Sequence, residues 1–352
     1  MTTTATGMTR SLAIDQLKGL AILCITLLHF ESGLIPYGPN TWIGSFMISA
    51  FYFTSGWLMG MKGEDKLPGV RELICKRWRS LGLPYLWFSA LILVFDLIWI
   101  ILGFDEWRLL GRDFYKTLTL RGIGTLWFLP ALFFSELLFV WIVRRKLYWQ
   151  LFALALTLIW YWGYGKWSAD FAFRNDMFRI IDAPFRTIQN VMTAWPVILF
   201  SYYLASHFAG AVHRFSKSLL ISLGMAGCGV SYYCAGYLFG RLPSCCGVLW
   251  GWFAPVLGPL SLFLIFSVIQ HWRVNRLFSF WGKNSLILMA THYSIYQVMC
   301  EAFCSRYLGI PAFTGWVTIA CFVVTMLVEY PTVYLINHYF PFLTGKRKES
   351  HA

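Results

Sequence analysis

Residues 14–32 read IDQLKGLAILCITLLHFES. From Leu17 to Phe30 every side chain is apolar or glycine except Lys18, Thr26 and His29. A helix needs ~20 residues to cross a hydrocarbon layer of ~30 Å, and a barrel strand would alternate in polarity over half that length. The stretch therefore reads as a membrane-spanning helix that carries an acid, a base and an imidazole. It has no small-residue cleavage site and holds Asp15 and Lys18 within it, so it does not read as a cleaved leader.

The rest of the chain repeats the pattern. Of 352 residues 58% are hydrophobic, 19% are aromatic and only 13% are charged. So few charges cannot wet the surface of a soluble globule, and the apolar content excludes disorder and a small disulfide-stapled domain. The net charge of +13 is scattered between apolar runs and does not form one stripe, which argues against a nucleic-acid binder. Apolar segments fall at 16–35, 41–61, 81–102, 123–143, 148–163, 190–212, 218–239, 247–269, 279–299 and 314–337. The fold class expected is an all-α polytopic membrane protein of about ten transmembrane helices. Sorted by loop, 17 Lys and Arg fall on the side of the N-terminus and 10 on the other, with two more at membrane edges. The excess of basic residues marks the cytoplasmic side, so both termini are expected to be cytoplasmic. The domain expectation is a short cytoplasmic segment at 1–11, a transmembrane domain at 12–339 and a basic cytoplasmic tail at 340–352.

Ionisable groups inside such spans are costly and are functional candidates for that reason. Lys18 and His29 are eleven residues apart, about three helical turns, and so share one face about 16 Å apart. Asp15 stands one turn before Lys18 and can pair with it. A base at one end of a polar stripe suits transfer between two compartments. The plainer alternative is that Lys18 snorkels to the interface and His29 packs as a neutral core residue. In CKRWRSLGLPYLWF (75–88), Arg77 and Arg79, with Lys76 beside them, offer guanidinium forks to a phosphate, or serve only as a positive-inside signal. FYFTSG (51–56) brings the Ser55 hydroxyl into a span, and LWFLPALFFSE (126–136) holds Trp127 and the lone carboxylate Glu136, which can pair with a base from a neighbouring helix. Asp96 and Glu329 are further lone acids. GKNSLILMATHYSIY (282–296) holds Asn284, Ser285, Ser294 and a second candidate histidine, His292.

Most of the nine cysteines lie in or beside spans and read as small hydrophobes, while Cys245–Cys246 and Cys300–Cys304 are expected near the external face, where an oxidised pair can form. Their spacing matches no metal site. There is no Walker loop, dinucleotide glycine fingerprint or HExxH, which argues against an ATP-driven pump, a nicotinamide enzyme and a zinc protease.

Taken in order, five segments resemble the acyltransferase-3 family of integral-membrane O-acyltransferases: IDQLKGLAILCITLLH, FYFTSG, KRWRSLGLPY, LWFLPALF and GKNSLILMATH. The resemblance spans essentially the whole chain, and the first segment is similar to the branch of sugar O-acetyltransferases related to fucose 4-O-acetyltransferases. It implies transfer of an acyl group, usually acetyl from cytoplasmic acetyl-CoA, to a hydroxyl of a cell-surface polysaccharide or lipid-linked sugar at the bacterial inner membrane. Acetyl-CoA would be a co-substrate, with no bound cofactor and no metal. Partners would be the acyl donor, the glycan acceptor, membrane lipids and a polysaccharide synthesis or export machinery. The resemblance matches His29 and Lys18 to the family's first-span histidine and its basic partner, and Arg77 and Arg79 to its basic run. On this reading His29, Lys18, Asp15 and His292 are catalytic, Lys76, Arg77 and Arg79 hold the donor, and Ser55, Trp127, Glu136, Asn284 and Ser285 meet substrate. The last motif departs from the family's usual serine, tyrosine and histidine, since Met289, Ala290 and Thr291 precede His292. Two other readings fit polar stripes in a bundle: a transporter or flippase for a lipid-linked sugar or small solute, and a non-catalytic partner of a polysaccharide synthase.

Overall fold

The computed structural model describes residues 11–30, 33–171, 176–212, 214–238, 244–310 and 314–346. The N-terminal segment up to residue 10, the tail beyond 346 and the side chains of Cys245 and Cys246 lie outside the described residues. In chain order the helices are α1 (Leu12–Phe30), α2 (Tyr37–Phe46), α3 (Ser49–Gly60), α4 (Val70–Arg77), α5 (Leu83–Ile101), α6 (Trp107–Leu118), α7 (Phe128–Val143), α8 (Leu147–Phe171), α9 (Asp176–Val212), α10 (Lys217–Tyr233), α11 (Ser244–Ile269), α12 (Asn275–Lys283), α13 (Ser285–Thr291), α14 (Val298–Tyr307) and α15 (Trp316–Tyr339). Among the described residues the chain is all-α.

Among the described residues five helical stretches are long and apolar enough to cross a membrane: Leu12–Phe30, Val70–Ile101, Gly124–Val143, Lys217–Gly236 and Trp316–Tyr339. The protein is therefore a polytopic membrane protein, but the expectation of about ten transmembrane helices is wrong. The segment 41–61 is cut into α2 and α3, of 10 and 12 residues, each well short of a hydrocarbon layer. The segment 279–299 is broken among α12, α13, a π-helical stretch and α14. The segments 148–163 and 190–212 lie in the long helices α8 and α9, where Gln150, Thr157, Thr193 and Ser201 dilute the apolar runs. The segment 247–269 lies within α11. A window of apolar residues has the same composition whether one helix crosses with it or two short helices bury it inside protein. With the count corrected, the argument from an even number of spans to two cytoplasmic termini no longer holds.

The stretches between apolar segments at 103–122 and 164–189 are also largely helical among the described residues. The first contains α6, whose Arg112, Asp113 and Lys116 fall on adjacent turns, and the second contains the end of α8 and the start of α9.

The chain divides into two compact units. The first comprises Met1–Leu28, Ile35–Gly63 and Phe200–Ser285. Here α1 and α12 cross closely because two glycines allow it. A Cβ on Gly19 would meet the Phe278 carbonyl, and one on Gly282 would meet the Asp15 carbonyl. Phe53, Trp57 and Phe263 pack as an aromatic cluster, with Trp57 and Phe263 ring centroids 4.7 Å apart. The second unit comprises His29–Leu34, Glu64–Leu199 and Leu286–Ala352. Its α4 passes into α5 through a π-helical turn at Trp78–Gly82. Pro84 follows directly and has no N–H to give to the carbonyl four residues back, so the ladder widens there and the helix continues. Tyr85 Oη donates to the Thr117 carbonyl at 2.8 Å and ties α5 to the end of α6. Thr125 Oγ1 donates to the Met289 carbonyl and joins the turn before α7 to α13.

Candidate functional site

His29 stands in the last turn of α1, where backbone carbonyls lack helical partners. One of them is capped from outside the helix: Gln297 Nε2 donates to the His29 carbonyl at 2.9 Å. Gln297 ends a π-helical stretch, His292–Gln297, between α13 and α14. Such wide turns are uncommon and recur at functional sites, because they rotate a side chain out of the α-helical register. This one brings His292 to His29.

The two imidazoles form an ordered chain. His292 Nδ1 lies 2.5 Å from the Leu288 carbonyl, and His292 Nε2 lies 3.0 Å from His29 Nδ1. A carbonyl only accepts, so Nδ1 of His292 carries the proton and its Nε2 is the acceptor in the neutral ring. His29 Nδ1 must then be the donor between the rings, which leaves the lone pair of neutral His29 on Nε2. The tautomer assignment follows from the partners and not from observed hydrogens. His292 is fully buried. Its neighbour Thr291 donates through Oγ1 to Glu329 Oε1 on α15 at 2.5 Å, and Tyr296 Oη lies 2.6 Å from Thr332 Oγ1. α15 therefore braces the wide turn on both sides of His292. The Tyr293 ring lies 4.8 Å from that of His29, centroid to centroid.

His29 lines a cavity of about 540 Å³. Aromatic residues Trp99, Trp127 and Tyr293 share its wall with the charged groups Asp96, Arg112, Asp113, Lys116, Arg121 and Glu301. Asp113 is buried and accepts from Arg112 Nε at 3.1 Å and Lys116 Nζ at 2.7 Å. Burial and the neighbouring Arg186 guanidinium push Arg121 below its ordinary range, partly offset by Asp182. Asp96 is 6% exposed and Ser294 is 8% exposed. Among the described residues neither Asp96 Oδ2 nor Ser294 Oγ has a hydrogen-bond partner, and the same holds for Gln297 Oε1. The turn at Gly124 is fitted to this wall: its φ is +52°, and a Cβ there would run into Ser294 Oγ and the Tyr293 ring.

Of the residues singled out in the sequence, His29, His292 and Trp127 are thus brought together at one site. Arg77 and Glu136 meet each other in the same unit: Arg77 Nη2 donates to Glu136 Oε1 at 2.6 Å, with a second close contact from Nε to Oε2. Glu136 is fully buried, so this pairing removes the cost of an isolated buried carboxylate. Lys76 and Arg79 are exposed. Ser55, Asn284, Ser285, Asp15 and Lys18 belong to the other unit. There Lys18 Nζ lies 4.0 Å from Asp15 Oδ1, Asn284 Nδ2 donates to the Phe280 carbonyl at the end of α12 at 2.9 Å, and Ser55 and Ser285 are buried.

The charged wall escaped sequence reasoning because Arg112, Asp113 and Lys116 sit in a stretch read as a loop. Their spacing of one, then three residues was the available signal. Asp96 stood out only as a lone acid, with no hint of what it faced. Among the described residues no cluster of His, Cys, Asp and Glu could hold a metal ion.

The acyltransferase-3 family, described as an acyltransferase domain, matches residues 11–334. The match covers most of the chain, and the chain belongs to that family. No curated protein and no solved structure matches it.

Proposed function

We propose that this acyltransferase moves an acetyl group from acetyl-CoA to a hydroxyl of a cell-surface polysaccharide or lipid-linked sugar, in the manner of the sugar O-acetyltransferase branch. The carrying observation is the hydrogen-bonded chain from Leu288 through His292 to His29, ending at a charged cavity. His29 Nε2 takes the proton of the acceptor hydroxyl as its oxygen attacks the thioester carbonyl. The carbon–sulfur bond breaks, and the imidazolium returns the proton to the departing CoA sulfur. While His29 is charged, its Nδ1–H bond to His292 strengthens, because the donor is then ionised. His292 is on this view a positioning residue that holds the tautomer, a role that a carboxylate or carbonyl fills elsewhere.

The donor's phosphates fall to Lys76 and Arg79, whose heads are exposed, while Arg77 is held by Glu136 and orients the run. Lys18, backed by Asp15 and about three helical turns from His29 on α1, is proposed to hold a phosphate of the donor. Ser55, Trp127, Asn284 and Ser285 are proposed as substrate contacts. The basic run at 76–79 supports a multi-pass protein of the bacterial inner membrane with this run on the cytoplasmic side, where acetyl-CoA is made. A polysaccharide synthesis or export machinery is the proposed partner.

The test is CoA-thiol release by purified protein, paired with mass spectrometry of surface glycans from cells that express it. His29→Ala is expected to leave an inserted, folded protein that releases no CoA thiol in response to acceptor. Unchanged glycan acetylation in that variant would sink the assignment. Substrate counterflow in liposomes without thioester turnover would instead identify a transporter.

A further inference from the structure

We infer that Asp96 and Ser294, with Gln297 beside them, form a subsite for a neutral polyhydroxyl ring within the His29 cavity. The inference rests on the acyl-transfer reading for what happens next, but not for the binding itself.

Three polar atoms on the wall of one cavity lack partners among the described residues: Asp96 Oδ2, Ser294 Oγ and Gln297 Oε1. Asp96 and Ser294 are each more than nine-tenths buried, so bulk water does not satisfy them freely. Buried polar atoms are normally paired, and leaving several unpaired on one surface destabilises a fold unless something completes them. They lie on two elements, Asp96 on α5 and the other two on the π-helical stretch. A packing fault in one helix would not produce that convergence.

The chemistry of these atoms limits the ligand. A carboxylate oxygen accepts hydrogen bonds only. Gln297 has spent its donor group on the His29 carbonyl, so it too offers an acceptor. Ser294 can give or take. Of the cations lining this cavity, Arg112 and Lys116 both donate to Asp113, and Arg121 lies in the field of Asp182. A wall rich in acceptors and poor in unengaged cations suits a ligand bearing several O–H donors and disfavours an anion beside Asp96. Trp127 adds an aromatic surface to the same cavity, suited to the C–H face of a sugar ring. Hydroxyls bound by Asp96 and Ser294 would leave a neighbouring hydroxyl of the same ring for His29.

The test needs no acyl donor. Full-length protein in detergent is treated with diethyl pyrocarbonate, and carbethoxylation of His29 is followed by peptide mass spectrometry. The probes are methyl α-hexopyranosides of the gluco, galacto and manno series, with cyclohexylmethanol and ethylammonium as one-hydroxyl and cationic comparators. At least one glycoside is expected to slow His29 modification several-fold, and the comparators are not. Asp96→Asn and Ser294→Ala should each raise the glycoside concentration needed for half-protection about tenfold. Asp96→Asn removes a buried charge at constant shape, so it serves even if the serine variant folds poorly. Absence of protection by every glycoside, equal protection by cyclohexylmethanol or ethylammonium, or unchanged protection in both variants would each overturn the subsite; the last would leave those atoms to water alone. If protection behaves as expected but no CoA is released with any glycoside, the subsite stands and the acyl-transfer reading fails.

Discussion

His292 Nε2 lies 3.0 Å from His29 Nδ1 while the other nitrogen of His292 is held by the Leu288 carbonyl. The two residues are 263 positions apart in sequence. Their contact orders protons without any carboxylate, because a carbonyl that can only accept sets the direction of both bonds.

That order makes His292 measurable apart from His29. His292→Ala should lower kcat for CoA release by about 10²-fold, the lower end of what a mispositioned general base costs. The acceptor KM should move little. His292→Gln, whose carbonyl can still accept from His29 Nδ1, should recover part of the loss. Equal kcat in wild type and His292→Ala would show that the inter-ring bond has no part in turnover.

Arg77 and Glu136 form a pair with one fully buried partner. Arg77→Met alone takes the guanidinium away from that buried carboxylate and should cost on the order of 3 kcal/mol. The double variant Arg77→Met with Glu136→Leu should recover most of that loss. Thermal unfolding in one detergent, compared across wild type, single and double variants, checks it. A single variant as stable as the wild type would contradict the geometry.

Gly124 has a positive φ and no room for a Cβ beside Ser294 and Tyr293. Gly124→Ala adds backbone strain of roughly 1 kcal/mol to that clash. The site wall should shift and acceptor-dependent CoA release should fall at least tenfold, with the protein still folded by its unfolding midpoint. Gly111, which has open space around it, is the matched position. Gly111→Ala should leave release unchanged.

Arg79 is exposed, and its charge is free to meet a phosphate. Arg79→Ala should raise the KM for acetyl-CoA about tenfold, as expected for one charge-assisted hydrogen bond of ~1.5 kcal/mol. The acceptor KM should be unaffected. Initial-rate kinetics with varied donor separate the two constants, and an unchanged donor KM would remove Arg79 from the donor site.

Much of the site was visible in the residues before any fold was known. His29 in an otherwise apolar helix is too costly to be incidental, and the same reasoning singled out His292, Glu136 and Asp96. Their pairing was not visible. Arg77 and Glu136 are 59 residues apart, and nothing in either segment says which base meets which acid. The acceptor wall was still harder to see, since Arg112, Asp113 and Lys116 look like ordinary loop charges until α6 turns them toward Asp96 and His29.

The amino-acid order alone settled that this chain lives in a membrane, because 58% hydrophobic residues in continuous runs cannot be hidden by 13% charged ones. It also settled which titratable groups would be unusual, since the cost of burying a charge depends on residue type and local polarity. Three-dimensional packing decided how many of the runs are single long helices. It cut 41–61 and 279–299 where short helices and a wide turn pack better than one rod. It also decided the direction of the proton chain and the make-up of the cavity. Those depend on hydrogen bonds between residues far apart in sequence, and such bonds leave no local periodicity to read.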